Sequence, residues 1–260
     1  MGLTLFHVDA FADRPFAGNS AAVCPLDAWL PEERMQAIAA ENNLAETAFF
    51  VPEGEGFALR WFTPAVEVDL CGHATLATAY VLFRHLGWTA PAVRFRTLKA
   101  GVLTVTREGE RFALDFPARP ALPLPPDPAL AAALGAVPSA VLAARDYLAV
   151  FETAAAVRAL APDMRALAAL DRFAVIATAP GEDCDFVSRF FAPAQGIDED
   201  PVTGSSHCTL VPYWSARLGR TTLLARQISA RGGTLYCVDR GERVIIAGDA
   251  VLYMKGEILA

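Results

Sequence analysis

Cysteine, clustered positive charge and long apolar runs are all in short supply in this sequence, and each shortage removes a class of protein. The five cysteines, Cys24, Cys71, Cys184, Cys208 and Cys237, are odd in number, scattered and never spaced Cys-x-x-Cys. A disulfide framework and a structural zinc are therefore both unexpected, and a reducing cytoplasm is the expected compartment. Lys and Arg number 22 against 29 Asp and Glu, a formal net charge of -7 with no basic run or stripe. Such a field repels phosphate backbones, so nucleic acid is not an expected partner. The longest apolar stretch, residues 129–144, is interrupted by Gly135, Pro138 and Ser139 and is too short and broken to span a bilayer. The opening Met1-Gly2-Leu3-Thr4-Leu5-Phe6 lacks the basic flank and cleavage pattern of a signal peptide and the hydroxyl residue of a myristoylation site, and reads as a strand. No glycine pattern is a dinucleotide fingerprint or a phosphate-binding loop: Arg231-Gly232-Gly233 has no helix pattern after it. No cofactor is expected.

What the sequence does hold is an apolar content of 54% in 260 residues, ample for a packed core, and an internal repetition. Arg60-Trp61-Phe62-Thr63-Pro64-Ala65 recurs 129 positions on as Arg189-Phe190-Phe191-Ala192-Pro193-Ala194. The offset then becomes 132 and holds: Leu86-Gly87 matches Leu218-Gly219, Gly101 and Leu103 match Gly233 and Leu235, and Gly109-Glu110-Arg111 matches Gly241-Glu242-Arg243. A period this long reads as duplication of a whole domain rather than a stacked array. Between the copies, prolines crowd residues 117–128, a density hostile to helix interiors and central strands. The expected organisation is an N-terminal half over residues 1–117, a proline-rich linker over 118–128 and a C-terminal half over 129–250. The last strand, 251–260, is taken as crossing back to the first half.

Each half reads as strand, proline-bearing loop, helix and paired strands. Residues 72–86 and 204–218 are the expected helices, each closed by a glycine, Gly87 or Gly219, where a left-handed residue is favoured. The first is apolar nearly all round, so a sheet should wrap it. Residues 102–106 and 243–247 are candidate wrapping strands, with Glu108-Gly109 and Arg240-Gly241 as turns. The expected class is α+β, two pseudo-symmetric halves with a cleft between them.

Three segments carry candidate chemistry. Glu46 stands where a helix ends and a strand begins, hemmed in by Leu44, Ala45, Ala48 and Phe49. Partial desolvation there should raise its pKa and let it accept and return a proton near neutrality; the plain alternative is an exposed Glu starting a strand. In Cys71-Gly72-His73, Gly72 allows close backbone approach at a helix start whose free N–H groups suit an anion. His73 could donate to a substrate carboxylate or shuttle a proton, the positive helix end favouring its neutral form, or it could be a cap with no ligand. Cys71 could be a thiolate activated by that helix end. The third segment, Asp198-Glu199-Asp200-Pro201-Val202-Thr203-Gly204-Ser205, opens the second helix with its own glycine and hydroxyls. Its three carboxylates lack the alternating spacing of a calcium loop, so no metal is expected, and Asp200 reads as a partner of the substrate or of His73. Both helix N-termini are expected to serve one small carboxylate.

Together these segments resemble the PhzF family, whose fold is that of diaminopimelate epimerase and whose founding activity is isomerisation of dihydro-3-hydroxyanthranilate. The resemblance spans essentially the whole chain through Val8-Asp9-Ala10-Phe11, Gly18-Asn19-Ser20-Ala21-Ala22-Val23, the Glu46 segment, Phe62-Thr63-Pro64, Cys71-Gly72-His73-Ala74-Thr75, Glu199-Asp200-Pro201-Val202-Thr203-Gly204-Ser205 and Ala230-Arg231-Gly232-Gly233. It implies Glu46 as general acid/base, His73, Asp200 and Ser205 as polar residues of the cleft, Gly72 and Gly204 as backbone donors, no cofactor, and a homodimer acting on a small-molecule carboxylate. Where the isomerase branch reads Ala-Gly-His-Pro, this chain reads Cys71-Gly72-His73-Ala74, which implies the broader branch of unassigned substrate. In the related epimerases two cysteines face each other across the substrate; here Thr203 stands at the second position. Isomerisation of a small cyclic or unsaturated amino or hydroxy acid is the expected reaction. A Cys71-dependent racemase or dehydratase and a non-catalytic protein-binding scaffold are the alternatives.

Overall fold

The chain starts as a strand, as the opening pattern predicts, with Leu5, Phe6, Val8 and Ala10 all buried. A computed structural model describes residues 2–259, which divide into two units. One runs up to Asp115 and regains the chain from Ala247; the other is Phe116–Ile246.

The first unit contains β1 (Gly2–Ala10), β2 (Asn19–Pro25), α1 (Glu32–Asn42), β3 (Glu46–Glu53), β4 (Gly56–Phe62), β5 (Glu67–Val68), α2 (Gly72–His85), β6 (Ala92–Arg96), β7 (Val102–Glu108) and β8 (Arg111–Pro117). Strand β1 pairs antiparallel with β2, β2 runs parallel to β3, and β3 pairs antiparallel with β4. Strand β4 continues the sheet to β5 and β6, and β6, β7 and β8 follow as antiparallel neighbours. The curved sheet packs round α2, which touches β1, β2, β3 and β7. Ten of the 14 residues of α2 are buried, which accounts for its lack of a polar face. Its hydroxyls are accommodated internally: Thr75 and Thr78 donate to the carbonyls of Cys71 and Ala74 at 2.5 and 2.7 Å.

The second unit contains β9 (Leu122–Leu124), α3 (Pro128–Leu134), β10 (Ala140–Ala143), β11 (Tyr147–Val150), α4 (Ala154–Arg158), α5 (Met164–Ala168), β12 (Val175–Pro180), β13 (Phe186–Phe191), α6 (Gly204–Leu218), β14 (Thr222–Gln227), β15 (Gly233–Asp239) and β16 (Arg243–Gly248), whose last residues reach the first unit. A sheet from β9 through β15 mixes antiparallel pairs with two parallel ones, β11 with β12 and β13 with β14. Helix α6 is the counterpart of α2, and Gly219 closes it at φ +67. The short helices α3, α4 and α5 cover a separate core built on Leu130, Leu134, Tyr147, Phe151, Val157, Leu167, Val187 and Phe191. The last strand, β17 (Ala250–Leu259), pairs antiparallel with β1.

Residues 118–128, expected as a linker, are built into the second unit. Strand β9 adds to β10 at an edge of the sheet, where Pro123 costs no ladder bond, and Asp127 caps α3 by accepting from the N–H groups of Ala129 and Leu130. The duplication survives as a repeated contact. Arg60 makes a bidentate pair with Glu67 at 2.6 and 2.7 Å, and Arg189 does so with Glu199 at 2.7 and 2.8 Å. Each guanidinium also lies over the aromatic ring two residues on, Phe62 at 5.2 Å and Phe191 at 4.8 Å. Among the described residues, no helix is long and apolar enough to cross a membrane.

Trp214 anchors α6. It is fully buried, stacks on Phe186 with ring centroids 5.6 Å apart, and donates through Nε1 to Thr178 Oγ1 at 2.9 Å. Truncation to alanine opens a cavity and removes that donor, so Trp214→Ala should cost about 3–5 kcal/mol in urea denaturation. Trp214→Phe, which keeps the stacking, should cost about 1–2 kcal/mol. Equal losses for the two variants would contradict the packing role assigned to the ring.

Candidate active site

Glu46 is the first residue of β3, and the chain reaches it through Asn43, whose left-handed φ of 49 closes α1. The turn brings Glu46 inward, where it is 8% exposed, as the apolar neighbours suggest and unlike the alternative of an exposed strand start. Across from it the chain passes from β5 into α2. Cys71 is the extended residue before the helix, Gly72 its first residue, and His73 lies in the opening turn, 6% exposed. His73 Nε2 stands 2.9 Å from Glu46 Oε2, ion-pair distance without the alignment of a hydrogen bond. Cys71 Sγ lies 3.5 Å from His73 Nδ1 and 3.9 Å from Nε2.

Proximity reverses two electrostatic expectations. Burial alone would raise the Glu46 pKa, but the charge of His73 beside it outweighs burial and holds the carboxyl below its ordinary value of 4.5. Burial alone would likewise press His73 down, yet the Cys71 sulfur and the Glu46 carboxylate raise it well above 6.5. The positive helix end does not make His73 neutral, because a carboxylate at 2.9 Å is a nearer and larger charge. For Cys71, burial first, and then the Glu46 charge, push the thiol up to about 11, which favours an inert thiol over a thiolate activated by the helix end.

A residue given no role by the sequence completes the cluster. Asn19, 1% exposed at the start of β2, places Nδ2 3.2 Å from His73 Nδ1. A carboxamide can offer that nitrogen a donor or an acceptor, so it can hold the ring in either protonation state. Gly18 delivers Asn19 to this position: at φ +65, a Cβ would lie 2.1 Å from the Ala10 carbonyl oxygen. Glu46, Cys71 and His73 also present one metal-binding donor atom each, all within 4.8 Å of one another. Sequence spacing concealed this set, since Glu46 arrives from a different element.

The second unit gathers the other expected residues around the start of α6. Asp200 accepts a short hydrogen bond from Thr203 Oγ1. Buried Gln227 braces this turn, donating to the Asp200 carbonyl at 2.7 Å and accepting from Thr203 N at 2.8 Å. Ser205, aligned with His73 by the offset of the repeat, receives Arg145 Nη2 at 3.3 Å, and Arg145 is itself held by two 2.9 Å bonds to Asp146. Gly204 opens the helix. His207 is structural: fully buried, it contacts the Thr203 carbonyl at 2.8 Å, and burial lowers its pKa to about 4. Nothing local in the sequence marks Gln227 or Arg145, whose partners lie 24 and 60 residues away.

The pairing has a titration signature. A carboxylate lowered below 4.5 stays ionised as pH falls past that value, and an imidazole raised above 6.5 keeps its proton as pH rises past it. The charged pair therefore spans the interval between and extends beyond both ends. NMR titration of the imidazoles should show His73 protonated well above pH 6.5 and His207 titrating at about 4. Glu46→Gln should shift the His73 titration down. A wild-type His73 that titrates at or below 6.5 would contradict the pairing.

The family model for phenazine biosynthesis-like proteins, PhzC-PhzF, matches residues 8–256. The chain is 55% identical over 258 residues to an uncharacterized isomerase of Pseudomonas aeruginosa, covering 99% of both chains. The crystal structure of a PhzF-family phenazine biosynthesis protein from Enterococcus faecalis superposes with a TM-score of 0.98 at 49% identity, covering 100% of each chain. A hydroxyproline epimerase from Agrobacterium vitis shares the fold alone, with a TM-score of 0.61 at 11% identity over 99% of this chain and 92% of that one. By sequence match along nearly its whole length and by its α+β architecture, the chain belongs to the phenazine biosynthesis-like PhzC-PhzF family.

Proposed function

We propose that the protein is an isomerase of a small cyclic or unsaturated amino or hydroxy acid, and that Glu46 carries the migrating proton between two carbons. The observation that carries this reading is the buried contact between Glu46 Oε2 and His73 Nε2 at 2.9 Å. An ionised carboxylate shielded from water is a competent base toward a carbon acid, and once protonated it becomes the acid that returns the proton. With Oε2 turned to His73, Oε1 is the oxygen assigned to the substrate. As the proton moves to Glu46, negative charge passes from that carboxylate to the substrate, and the nearby imidazolium offsets it, an electrostatic contribution of several kcal/mol at most. No further group is required for the transfer itself. The name isomerase carried by the 55% identical relative supports the reaction class.

The amide group of Gly72, at a helix start suited to anions, is assigned to the substrate carboxylate, and Gly204 is assigned the same kind of donor role at the start of α6. Asp200 and Ser205, at the start of α6, are assigned as polar binding residues, with Thr203 and Arg145 as their respective supports.

Geometry argues against a two-base racemase that sets Cys71 opposite Glu46. Two bases acting from opposite faces of one carbon must each stand about 3–3.5 Å from it, so their separation is nearly twice that. The donor atoms of Cys71 and Glu46 fall within 4.8 Å of each other. Proton delivery from a single carboxyl fits the cluster better.

Glu46→Gln preserves shape and removes the base. Turnover should fall by about a hundredfold or more, while thermal shifts produced by small cyclic and unsaturated carboxylic acids should remain close to wild type. Acids that stabilise both proteins become candidates for proton exchange in deuterated water. An acid turned over at the wild-type rate by the glutamine variant would overturn the role of Glu46.

A further inference from the structure

Glu46, Cys71 and His73 combine a carboxylate, a thiol and an imidazole, the donor set favoured by zinc and its neighbours among the divalent transition metals. We propose that these three side chains form a capture site for a thiophilic divalent cation, zinc by its donor chemistry, and that occupancy reversibly silences the proton carrier. The inhibitory consequence rests on the reading of Glu46 as that carrier; the binding site does not.

The distances suit the ion. Tetrahedral zinc with bonds of about 2.0 Å to nitrogen and oxygen and about 2.3 Å to sulfur spaces its ligand atoms about 3.3–3.5 Å apart. In the protein the nitrogen–oxygen edge is 2.9 Å, no edge exceeds 4.8 Å, and Cys71 Sγ lies 3.9 Å from Nε2 but 3.5 Å from Nδ1, so the sulfur must swing toward Nε2 to share an ion with it. Rotation of Cys71 about its single side-chain torsion adjusts both edges that involve sulfur. The ligands stand at the start of β3 and the opening of α2, two well-packed elements. Asn19 meets the far ring nitrogen of His73 at 3.2 Å through Nδ2; metal binding at Nε2 requires the carboxamide to turn so that Oδ1 accepts the Nδ1–H.

The charge and proton balance is simple. The entering dication displaces the thiol proton and the proton held between His73 and Glu46, leaving thiolate and carboxylate as two anionic ligands beside a neutral imidazole. A fourth position stays open to water, as in three-ligand zinc sites. The carboxylate is then committed to the metal and takes no proton from substrate.

Cobalt(II) and zinc are the probes, applied to the full-length protein without substrate. Wild type should bind one equivalent of cobalt with a near-ultraviolet sulfur-to-cobalt charge-transfer band, and zinc should bleach it. The band should vanish in Cys71→Ala, and Glu46→Gln should keep it while weakening binding about tenfold or more. Circular dichroism of both variants establishes that they are folded, and Cys71→Ser serves if the alanine variant is not. Absence of the band in wild type, or its persistence in Cys71→Ala through one of the other four cysteines, would overturn the site. Because the band needs no turnover, that result is separate from any failure of Glu46 as proton carrier. In proton exchange with an acid that wild type turns over, zinc should inhibit and a chelator should restore activity.

Discussion

A carboxylate and an imidazole held 2.9 Å apart with little access to water set the terms for the residues around them. Withdrawing two charges from solvent is unfavourable unless each meets the other in good geometry and further polar groups support them. The surrounding structure supplies that support from separate elements. Asn43 takes a left-handed turn so that Glu46 can face inward, Gly18 admits the backbone bend that delivers Asn19 to the ring, and Gly72 opens the helix that carries His73. Removing one partner would leave the other as an uncompensated buried charge, so the pair is constrained jointly rather than residue by residue.

The duplicated chain divides scaffold from chemistry. Both units keep the same bidentate Arg–Glu contact, the same guanidinium-over-ring stacking, and a helix opened by glycine. What differs is the first turn of that helix. Cys71 and His73 in one copy correspond by the repeat to Thr203 and Ser205 in the other, so a thiol and a titratable ring become two hydroxyls. The acid–base cluster thus belongs to the first unit, while the second copy presents neutral groups braced by Gln227 and Arg145. A helix start rich in backbone donors is common to both, and the side chains placed on it determine what each can do.

The fold was legible where pattern and punctuation agreed. An apolar run with no polar face and a glycine at its end marks α2 and α6, and Gly109 and Gly241, both at positive φ, mark the hairpin turns. The three short helices of the second unit escaped notice because alanine-rich segments a turn or two long carry almost no periodic signal. The proline-rich stretch misled for a related reason. Proline forbids central strands but tolerates an edge, and β9 is an edge. Glu46 and His73 could be named from the sequence as candidates, but their ionisation could not be read from it. Glu46 and His73 are 27 positions apart in sequence, and the field each feels comes from the other. Desolvation and the helix dipole, which local sequence does suggest, are outweighed by that contact.

The central claim is that Glu46 rests as a carboxylate against a protonated His73, a charge arrangement that infrared spectroscopy can observe directly. The difference spectrum between wild type and Glu46→Gln at neutral pH isolates the side chain's own absorption. The account predicts the paired stretching bands of an ionised carboxylate, with no carbonyl band of a protonated acid. A protonated Glu46 carbonyl band in that spectrum would contradict it and return the residue to the raised pKa that burial alone suggests.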